Sequence, residues 1–352
     1  MMQQIGRTIL AAVVMVWMSS PPASAVSLDQ FKLNGFFDLE YEKADGPGHT
    51  TTPVGDEKGS FDQYHFNLLT EFPVSDTVTV KGHVEYEHGP SLEDQQGDIR
   101  IEWAYVEYLL NNAVTLRGGL ANTPFGIYNE IHDATPTYLS IRTPWEIYKS
   151  PSIGGHAMFP KFNTGLFARG TYVVPGGVNL TYVGYVGNGE NAVKNEAEKD
   201  DNENKAVGGQ LMISPFNGVT VGGSYYQGEK QTSATTKDDH LAWAASLDLM
   251  LLPVGLRAEY ASSHLGNVTQ IGWYGEASYA VNKLTPYVRY GALDPDHAAG
   301  NDGWTGLVSG LHYRLQPNVA LKAEHRHFSG ESGNAKVNLD FNEWAAAITV
   351  AF

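Results

Sequence analysis

The sequence contains no cysteine among its 352 residues. Disulfide bonds, a thiol nucleophile, a cysteine-ligated metal and a covalently attached c-type haem are therefore excluded. Basic residues are also scarce, because 23 Lys and Arg stand against 39 Asp and Glu, which gives a formal net charge of −16. So acidic a chain lacks the basic surface that nucleic-acid binding requires, and we expect no nucleic acid among its partners.

Long apolar runs are missing except near the beginning of the chain. Residues 1–7 end in a basic residue, residues 8–18 are apolar, and the polar stretch that follows ends in Ala23-Ser24-Ala25. This order is typical of a secretory signal peptide, and its apolar run is too short for an ordinary transmembrane helix. We predict a signal peptide over 1–25 and a mature chain over 26–352, with an uncleaved anchor helix as the alternative. The mature chain has no apolar run that could span a membrane as a helix.

Apolar residues instead recur at every second position. In the segment 31–41, Phe37 and Leu39 alternate with Asp38 and Glu40. Because successive side chains of a strand point to opposite sides of the sheet, such a segment forms a strand with one apolar and one charged face. The pattern predicts sixteen strands, at 31–41, 60–72, 78–88, 99–110, 113–120, 162–174, 178–186, 206–213, 219–227, 240–251, 255–263, 269–281, 284–292, 304–315, 319–328 and 342–352. The alternation is weakest in the fourth segment, where it slips between Trp103 and Glu107.

The connections between these segments alternate between tight turns, such as Pro175-Gly176-Gly177, and long polar loops. Short turns on one side and long loops on the other are the anatomy of an outer-membrane barrel, whose sheet must close because backbone polar groups cannot be left open in lipid. We therefore predict an all-β fold: a closed antiparallel transmembrane β-barrel of about sixteen strands, with short periplasmic turns and long extracellular loops. A soluble β-sandwich or a repeat array is the alternative, but its strands would usually be shorter.

The last segment places Trp344, Ile348, Val350 and Phe352 on one face. A terminal aromatic residue preceded by apolar residues at every second position resembles the signal that the barrel-assembly machinery reads. The resemblance implies localisation in the cell outer membrane of a Gram-negative bacterium after export through the periplasm. The implied partners are the assembly machinery, outer-membrane lipid and lipopolysaccharide.

The mature chain as a whole resembles general bacterial porins. Residues 116–126, LRGGLANTPFG, are similar to the phosphate-selective porin O/P-like group, because a strand with an inward Arg117 runs into a Pro-Phe-Gly loop start. The resemblance implies a passive diffusion channel for small hydrophilic solutes or ions, a homotrimer, no cofactor and no enzymatic activity. Phosphate-selective relatives carry a dense run of Arg and Lys along the pore, whereas the inward bases and acids here are nearly balanced, so we do not carry phosphate selectivity over.

The third loop, residues 121–161, is far longer than the other connections and is rich in aromatic and charged residues. Its many apolar groups favour burial, and a barrel of this size leaves an aqueous lumen with room for the loop. We therefore expect it to fold into the lumen; the alternative is an outward loop that packs on a neighbouring protomer or on lipopolysaccharide. The predicted pore constriction consists of Glu130, Asp133 and Arg142 from the loop and a wall stripe of Arg117, Arg169, Arg257 and Arg289.

By strand parity the wall is charged throughout. We place inward Lys32, Lys81, Arg314, Lys322 and Arg326 with the four stripe arginines, and also Asp38, Glu40, Glu71, Glu85, Asp248, Glu259, Glu276 and Glu324. Charges inside a water-filled pore are tolerated, whereas on the lipid face they are costly. These charges either pair with one another and solvate the lumen, or form a transverse field that sets ion preference.

Three further features leave alternatives open. The fourth loop, residues 187–205, is acidic, and it either forms a solvated outer loop or attracts cations to the mouth of the pore. We expect the pore to have a weak ion selectivity that leans towards cations. His325 and His327 share a strand face, but without a third ligand they do not make a metal site. Two functions compete with a diffusion channel. One is a structural barrel that holds a partner, such as a redox-protein sheath or an adhesin, and the other is a barrel hydrolase.

Overall fold

A computed structural model describes residues 30–45, 59–87, 98–148, 157–190, 204–231, 236–300, 302–330 and 340–352. Within these ranges the side chains of residues 63, 64, 87 and 98 are not described. No helix in this part of the chain is both long and apolar enough to cross a membrane. The predicted signal peptide over 1–25 and most of the acidic fourth loop lie outside the described residues.

The described residues form sixteen β-strands and two short 3-10 helices, Asn129–Ile131 and Thr135–Thr137. The strands are β1 Lys32–Asp45, β2 Ser60–Pro73, β3 Val78–Glu87, β4 Asp98–Asn111, β5 Val114–Asn122, β6 Phe162–Val173, β7 Asn179–Gly187, β8 Ala206–Phe216, β9 Val219–Gln231, β10 Lys237–Leu251, β11 Val254–Leu265, β12 Val268–Tyr279, β13 Leu284–Asp294, β14 Trp304–Gln316, β15 Val319–Gly330 and β16 Phe341–Ala351.

Each strand pairs antiparallel with its chain neighbours, and β1 pairs with β16, so the sheet closes into a barrel. The β1–β16 register runs from Phe36 opposite Ala351 to Asp45 opposite Asn342. Closure leaves no strand edge with open backbone groups, which is what a sheet in lipid requires. The predicted fold class, strand number and closure are confirmed.

The ends of the strands differ from the prediction by a few residues, most clearly at β9 and β10. Their ladder continues to Lys237 opposite Gln231, whereas the alternation predicts ends at 227 and 240. Both strands become polar on both faces there, so hydrogen bonding extends the hairpin beyond the point where side-chain polarity can reveal it.

The slip in the alternation of β4 has a structural cause. His83 of β3 lies opposite Trp103, but its neighbour Val84 lies opposite Ile101, so Glu102 is an extra residue on β4. A β-bulge of this kind shifts the inside–outside order of a strand by one position. Buried Glu102 and half-buried Trp103 are therefore adjacent in sequence, and the residues on either side of them, Ile101 and Ala104, are exposed.

The two faces of the barrel differ in chemistry. Along β10, Trp243 is exposed, whereas His240, Ala242 and Ser246 are buried. Large apolar side chains are exposed on almost every strand, among them Leu166, Leu211, Leu256 and Leu311. The buried set instead includes many charged groups, which is the reverse of a soluble protein and matches a barrel with an apolar outside and a polar inside.

Candidate functional site

The candidate site is the third loop and the strand side chains that bind it. Of the predicted loop 121–161, the structure describes 121–148 and 157–161. Residues 121 and 122 end β5, and β6 begins at Phe162. The rest of the described loop has little regular structure, so its backbone groups depend on bonds to the strands.

The first part of the loop is held by β8, β9 and β11. The Gly126 amide donates to Ser224 Oγ at 2.9 Å, and Gln210 Nε2 donates to the Gly126 carbonyl at 2.7 Å. The next amide, of Ile127, donates to Glu259 Oε1 at 2.8 Å. The carboxylate of Glu259 also accepts hydrogen bonds from Ser246, Tyr274 and Tyr148. Glu259 is therefore a hub that fixes two distant parts of the loop, at Ile127 and at Tyr148, together.

The middle of the loop is held by β15 and β1. The Lys322 ammonium donates to the carbonyls of Thr135, Tyr138 and Ser140, at 2.6, 2.8 and 2.7 Å. An ammonium has three donors, so the three bonds use all of them. Next to it, Glu324 Oε1 accepts from the Ile141 amide at 2.6 Å, and Asp38 Oδ2 accepts from Thr135 Oγ1 at 2.7 Å.

Glycines make room for the last described turn of the loop. A Cβ on Gly272 would lie 2.2 Å from the Glu146 carbonyl oxygen, and a Cβ on Gly306 would lie 2.4 Å from the Trp145 ring. Gly291 pairs with Gly306 across β13 and β14 and approaches the Glu146 carboxyl in the same way. The loop thus packs directly against backbone at this patch.

Three predicted constriction residues come together. Arg169 Nη1 lies 3.0 Å from Glu130 Oε1, and Arg117 Nη1 lies 3.8 Å from the same oxygen. Arg117 also donates to Glu107 at 2.9 Å and lies over the Tyr105 ring. This group is a charged junction between the loop and strands β5 and β6.

The other two stripe arginines have different partners. Arg257 binds Asp248 at 2.9 Å and donates to the Tyr128 hydroxyl, and Arg289 lies 3.6 Å from Glu276 and donates to Ser140 Oγ at 3.3 Å. The predicted stripe is therefore divided between two regions of the loop, and only its β5–β6 half contacts Glu130.

The remaining two predicted residues lie elsewhere on the loop. Arg142 binds Glu42 of β1 at 2.8 Å and lies 3.4 Å from Glu40. Asp133 is buried beside His132, His65 and Lys161. Burial raises the pKa of the Asp133 carboxyl, but the electrostatic effects of His132, Lys161 and His65 outweigh it and hold the pKa well below its ordinary value.

Glu146 behaves in the opposite way. Burial raises its pKa from 4.5 to about 7, because the opposing effect of Arg289 is smaller than the cost of desolvating the carboxylate. The sequence does not reveal this difference in pKa, since Glu146 and Asp133 are both acids in the same loop.

A cavity of about 440 Å³ lies beside the loop, towards the short turns. It is lined by loop residues 136–139 and by Arg257, Glu276, His312 and Arg314. Charged and titratable groups of both signs therefore surround open space next to the docked part of the loop.

The predicted assembly residues lie on the final strand. Trp344 and Phe352 are exposed, and Ile348 and Val350 are half-buried on the same face. The Phe352 amide donates to the Gly35 carbonyl at 2.9 Å, and the Gly35 amide donates back to Phe352 at 2.8 Å. His325 and His327 do not share a ligand position, because His325 packs against Trp344 with the two rings tilted and His327 bonds Asn342.

Fold and site together define a membrane-spanning barrel of sixteen strands with a long loop bonded to its charged wall. A sequence model of the family described as Gram-negative porin matches residues 10–333. The chain belongs to the Gram-negative porin family.

Solved structures of other outer-membrane channels share this fold. The anion-selective porin from Comamonas acidovorans has a TM-score of 0.65 at 12% identity, over 92% of this chain and 99% of that chain. The outer membrane channel DcaP of Acinetobacter baumannii has a TM-score of 0.65 at 15% identity, over 94% and 100%. Salmonella typhi OmpF, solved with daunomycin, has a TM-score of 0.64 at 17% identity, over 92% and 97%. At these identities the likeness is one of fold.

An uncharacterized protein of Aquifex aeolicus (strain VF5) is 25% identical over 114 residues, or 32% of this chain. The match covers 24% of that relative's length.

Proposed function

We propose that this chain is a passive diffusion channel for small hydrophilic solutes or ions in the outer membrane, narrowed by the third loop folded into its lumen. The observation that carries the proposal is the spread of the loop's partners. Asp38 of β1, Ser224 of β9, Glu259 of β11 and Lys322 of β15 all bond the same loop. A segment that reaches inward side chains so far apart around a closed barrel has to cross the interior.

The charge of the narrowed region supports weak ion selectivity. Glu130 with Arg117 and Arg169, and Arg142 with Glu42, are paired acids and bases. Paired charges leave little net field, while the acidic chain as a whole favours cations near its surface. We therefore propose a modest preference for cations, which reversal potentials across a salt gradient measure; a strong anion preference would contradict it.

We propose the signal peptide over 1–25 from the order of its basic, apolar and small residues. Membership of the phosphate-selective O/P-like group, the homotrimer, and contacts with lipopolysaccharide and the assembly machinery are our proposals from sequence resemblance. The exposed apolar outer face supports contact with lipid.

One arrangement bears on the hydrolase alternative. His240 lies between Ser263 Oγ, 2.9 Å from its Nε2, and Glu190, which contacts its Nδ1. The order is that of a serine-hydrolase triad, but all three side chains are fully buried, so a substrate has no access to Ser263 Oγ. The arrangement instead ties Glu190, in the fourth loop, to β10 and β11, and we favour a channel over an enzyme.

Liposome swelling tests the proposal. Purified protein is reconstituted into liposomes, and the swelling rate is measured in isotonic sugars of increasing size. We expect fast swelling with small sugars and a steep decline with size, because diffusion through a narrowed aqueous pore depends on solute diameter. A partner-holding barrel with a sealed interior would give no more swelling than protein-free liposomes, and that result would refute the channel.

A further inference from the structure

A buried group of imidazoles and carboxylates lies where the third loop meets β2, β3 and β4. We call it the histidine–carboxylate cluster: His65, Glu85, Glu102, His132 and Asp133. Two sets of three within it have ligand atoms that all lie within 4.8 Å of one another, His65–Glu85–Asp133 and Glu102–His132–Asp133. Sequence reading predicts no metal here, because these residues are spread over 69 positions of the chain and only folding brings them together.

Both imidazoles are oriented as metal-ligating histidines are. His65 Nδ1 lies 2.9 Å from Asp38 Oδ2, and His132 Nδ1 lies 2.7 Å from the Asn129 carbonyl. A carboxylate and a carbonyl only accept, so each Nδ1 carries a proton and donates it. The Nε2 atom of each ring is thereby directed into the cluster. A carboxylate or backbone carbonyl on the far nitrogen is the usual outer partner of a metal-bound histidine.

Asp38 is itself fixed for this task. Its carboxylate also accepts a hydrogen bond from the His65 amide at 2.8 Å and one from Thr135 Oγ1 at 2.7 Å. With three donors around it, Asp38 holds the His65 ring in one orientation and keeps its Nδ1 proton in place.

The geometry favours the first of the two sets. His65 Nε2 lies 3.9 Å from Glu85 Oε1 and 3.9 Å from Asp133 Oδ1. Ligands of a tetrahedral ion at metal–ligand distances of about 2.1 Å lie roughly 3.4 Å apart, so a small inward movement completes the site. In the second set His132 Nε2 lies only 2.6 Å from Asp133 Oδ2, a close contact that leaves no space for an ion between the two atoms. With Oδ2 in this contact, the other carboxylate oxygen of Asp133, Oδ1, is the one that lies 3.9 Å from His65 Nε2.

The histidine–carboxylate cluster has an excess of negative charge, which favours binding of a cation. Glu85 and Glu102 share the Arg100 guanidinium, at 3.1 and 2.6 Å from its Nε, and Lys161 lies 3.7 Å from Asp133. With Asp38, the carboxylates here outnumber these two permanent cations. The buried Oε2 of Glu102 has no hydrogen-bond partner among the residues that the structure describes. A buried carboxylate oxygen without a donor is unfavourable unless a positive charge is near.

We propose that His65 Nε2, Glu85 Oε1 and Asp133 Oδ1 bind one divalent transition-metal ion. One imidazole with two carboxylates suits zinc and its neighbours in the first transition row better than calcium or magnesium, which prefer oxygen alone. Because Asp133 belongs to the third loop and the other two ligands belong to β2 and β3, the ion ties the loop to the wall.

Zinc binding to untagged, folded protein in detergent tests this site. The protein is stripped with a chelator and dialysed against Zn²⁺, and bound zinc is counted by elemental analysis; Co²⁺ absorption then reports the ligand geometry. We expect about one ion per chain in the wild type, and affinity at least about tenfold weaker in His65→Gln and in Asp133→Asn. His327→Gln is the matched control, because this exposed histidine of β15 bonds Asn342 instead, and it should bind as the wild type does.

Asp133→Asn keeps the size of a loop side chain and leaves β2 intact, so it remains informative if His65→Gln fails to fold. Absence of saturable zinc in the wild type would overturn the proposal. Equal zinc binding by Asp133→Asn would place the ion elsewhere and overturn it as well. Zinc binding is measured without transport. The metal site can therefore be refuted while the channel function holds, and the channel function can be refuted while the metal site holds.

Discussion

Gly272 of β12 is the residue at which barrel wall and loop come closest. A Cβ there would lie 2.2 Å from the backbone oxygen of Glu146 and 2.8 Å from the Met158 side chain. Glu146 precedes, and Met158 follows, the part of the loop that the structure does not describe. Backbone cannot move aside as a flexible side chain can, so the contact depends on the absence of a side chain at this position.

We expect Gly272→Ala to destabilise the protein by about 1–3 kcal/mol, the usual cost of an overpacked contact. The matched control is Gly275→Ala on the same strand, where an added Cβ meets nothing within 4 Å. Thermal unfolding in detergent compares the two variants with the wild type. Equal unfolding temperatures for Gly272→Ala and Gly275→Ala would contradict the described packing of the loop on β12.

Glu259 and Lys322 show what sequence reading can and cannot supply at this scale. Strand parity places both inward, and the structure agrees. Their role as anchors of the loop depends on Ile127, 132 positions from Glu259, and on Thr135, 187 positions from Lys322. Parity within a strand contains no information about which loop atom lies opposite, so these partners could not be predicted. The same holds for His65 and Asp133.

At the scale of elements, the strands follow from alternation and the exceptions have local causes. The bulge at Glu102 shifts the pattern of β4, and hydrogen bonding carries the β9–β10 hairpin past its last apolar residue. The third loop could be recognised from its length and its aromatic residues, but its path could not, because that path is set by single bonds to many strands.

The docking of the loop should depend on pH through Glu146. Its pKa of about 7 in the docked loop is above the ordinary 4.5, so docking takes up a proton. The resulting stabilisation is complete below about pH 4.5 and is lost as the pH rises through 7. The charged groups that face Glu146 are Arg289 of β13 and Glu276 of β12. We therefore expect tighter docking, and a lower channel conductance, at pH 5 than at pH 8.

Glu146→Gln separates this effect from other titrating groups, since it keeps the shape of the neutral carboxyl. Conductance of the variant across the same pH range should stay close to the acid-pH value of the wild type. If the variant and the wild type show the same pH dependence, Glu146 does not control the docking.

For the whole molecule, an acidic chain without cysteine reaches a stable fold through closure of the sheet. All sixteen strands are paired on both sides, and β1 and β16 complete the ring. The pattern of turns and loops was enough to predict this, because a sheet in lipid satisfies all of its backbone groups only when it closes. The charge inside is arranged as local pairs, which parity alone leaves undetermined.

We propose that the barrel is an open channel whose width is set by the docked third loop. Lys322→Met removes the ammonium that binds three loop carbonyls, and Lys283→Met removes an exposed lysine whose ammonium donates to Leu315 near a turn. Single-channel conductance in a planar lipid bilayer compares these variants with the wild type. We predict defined conductance steps in the wild type, the same steps in Lys283→Met, and larger, noisier steps in Lys322→Met because its loop is released. A wild-type protein that inserts without conducting, or a Lys322→Met conductance equal to that of the wild type, would contradict the account.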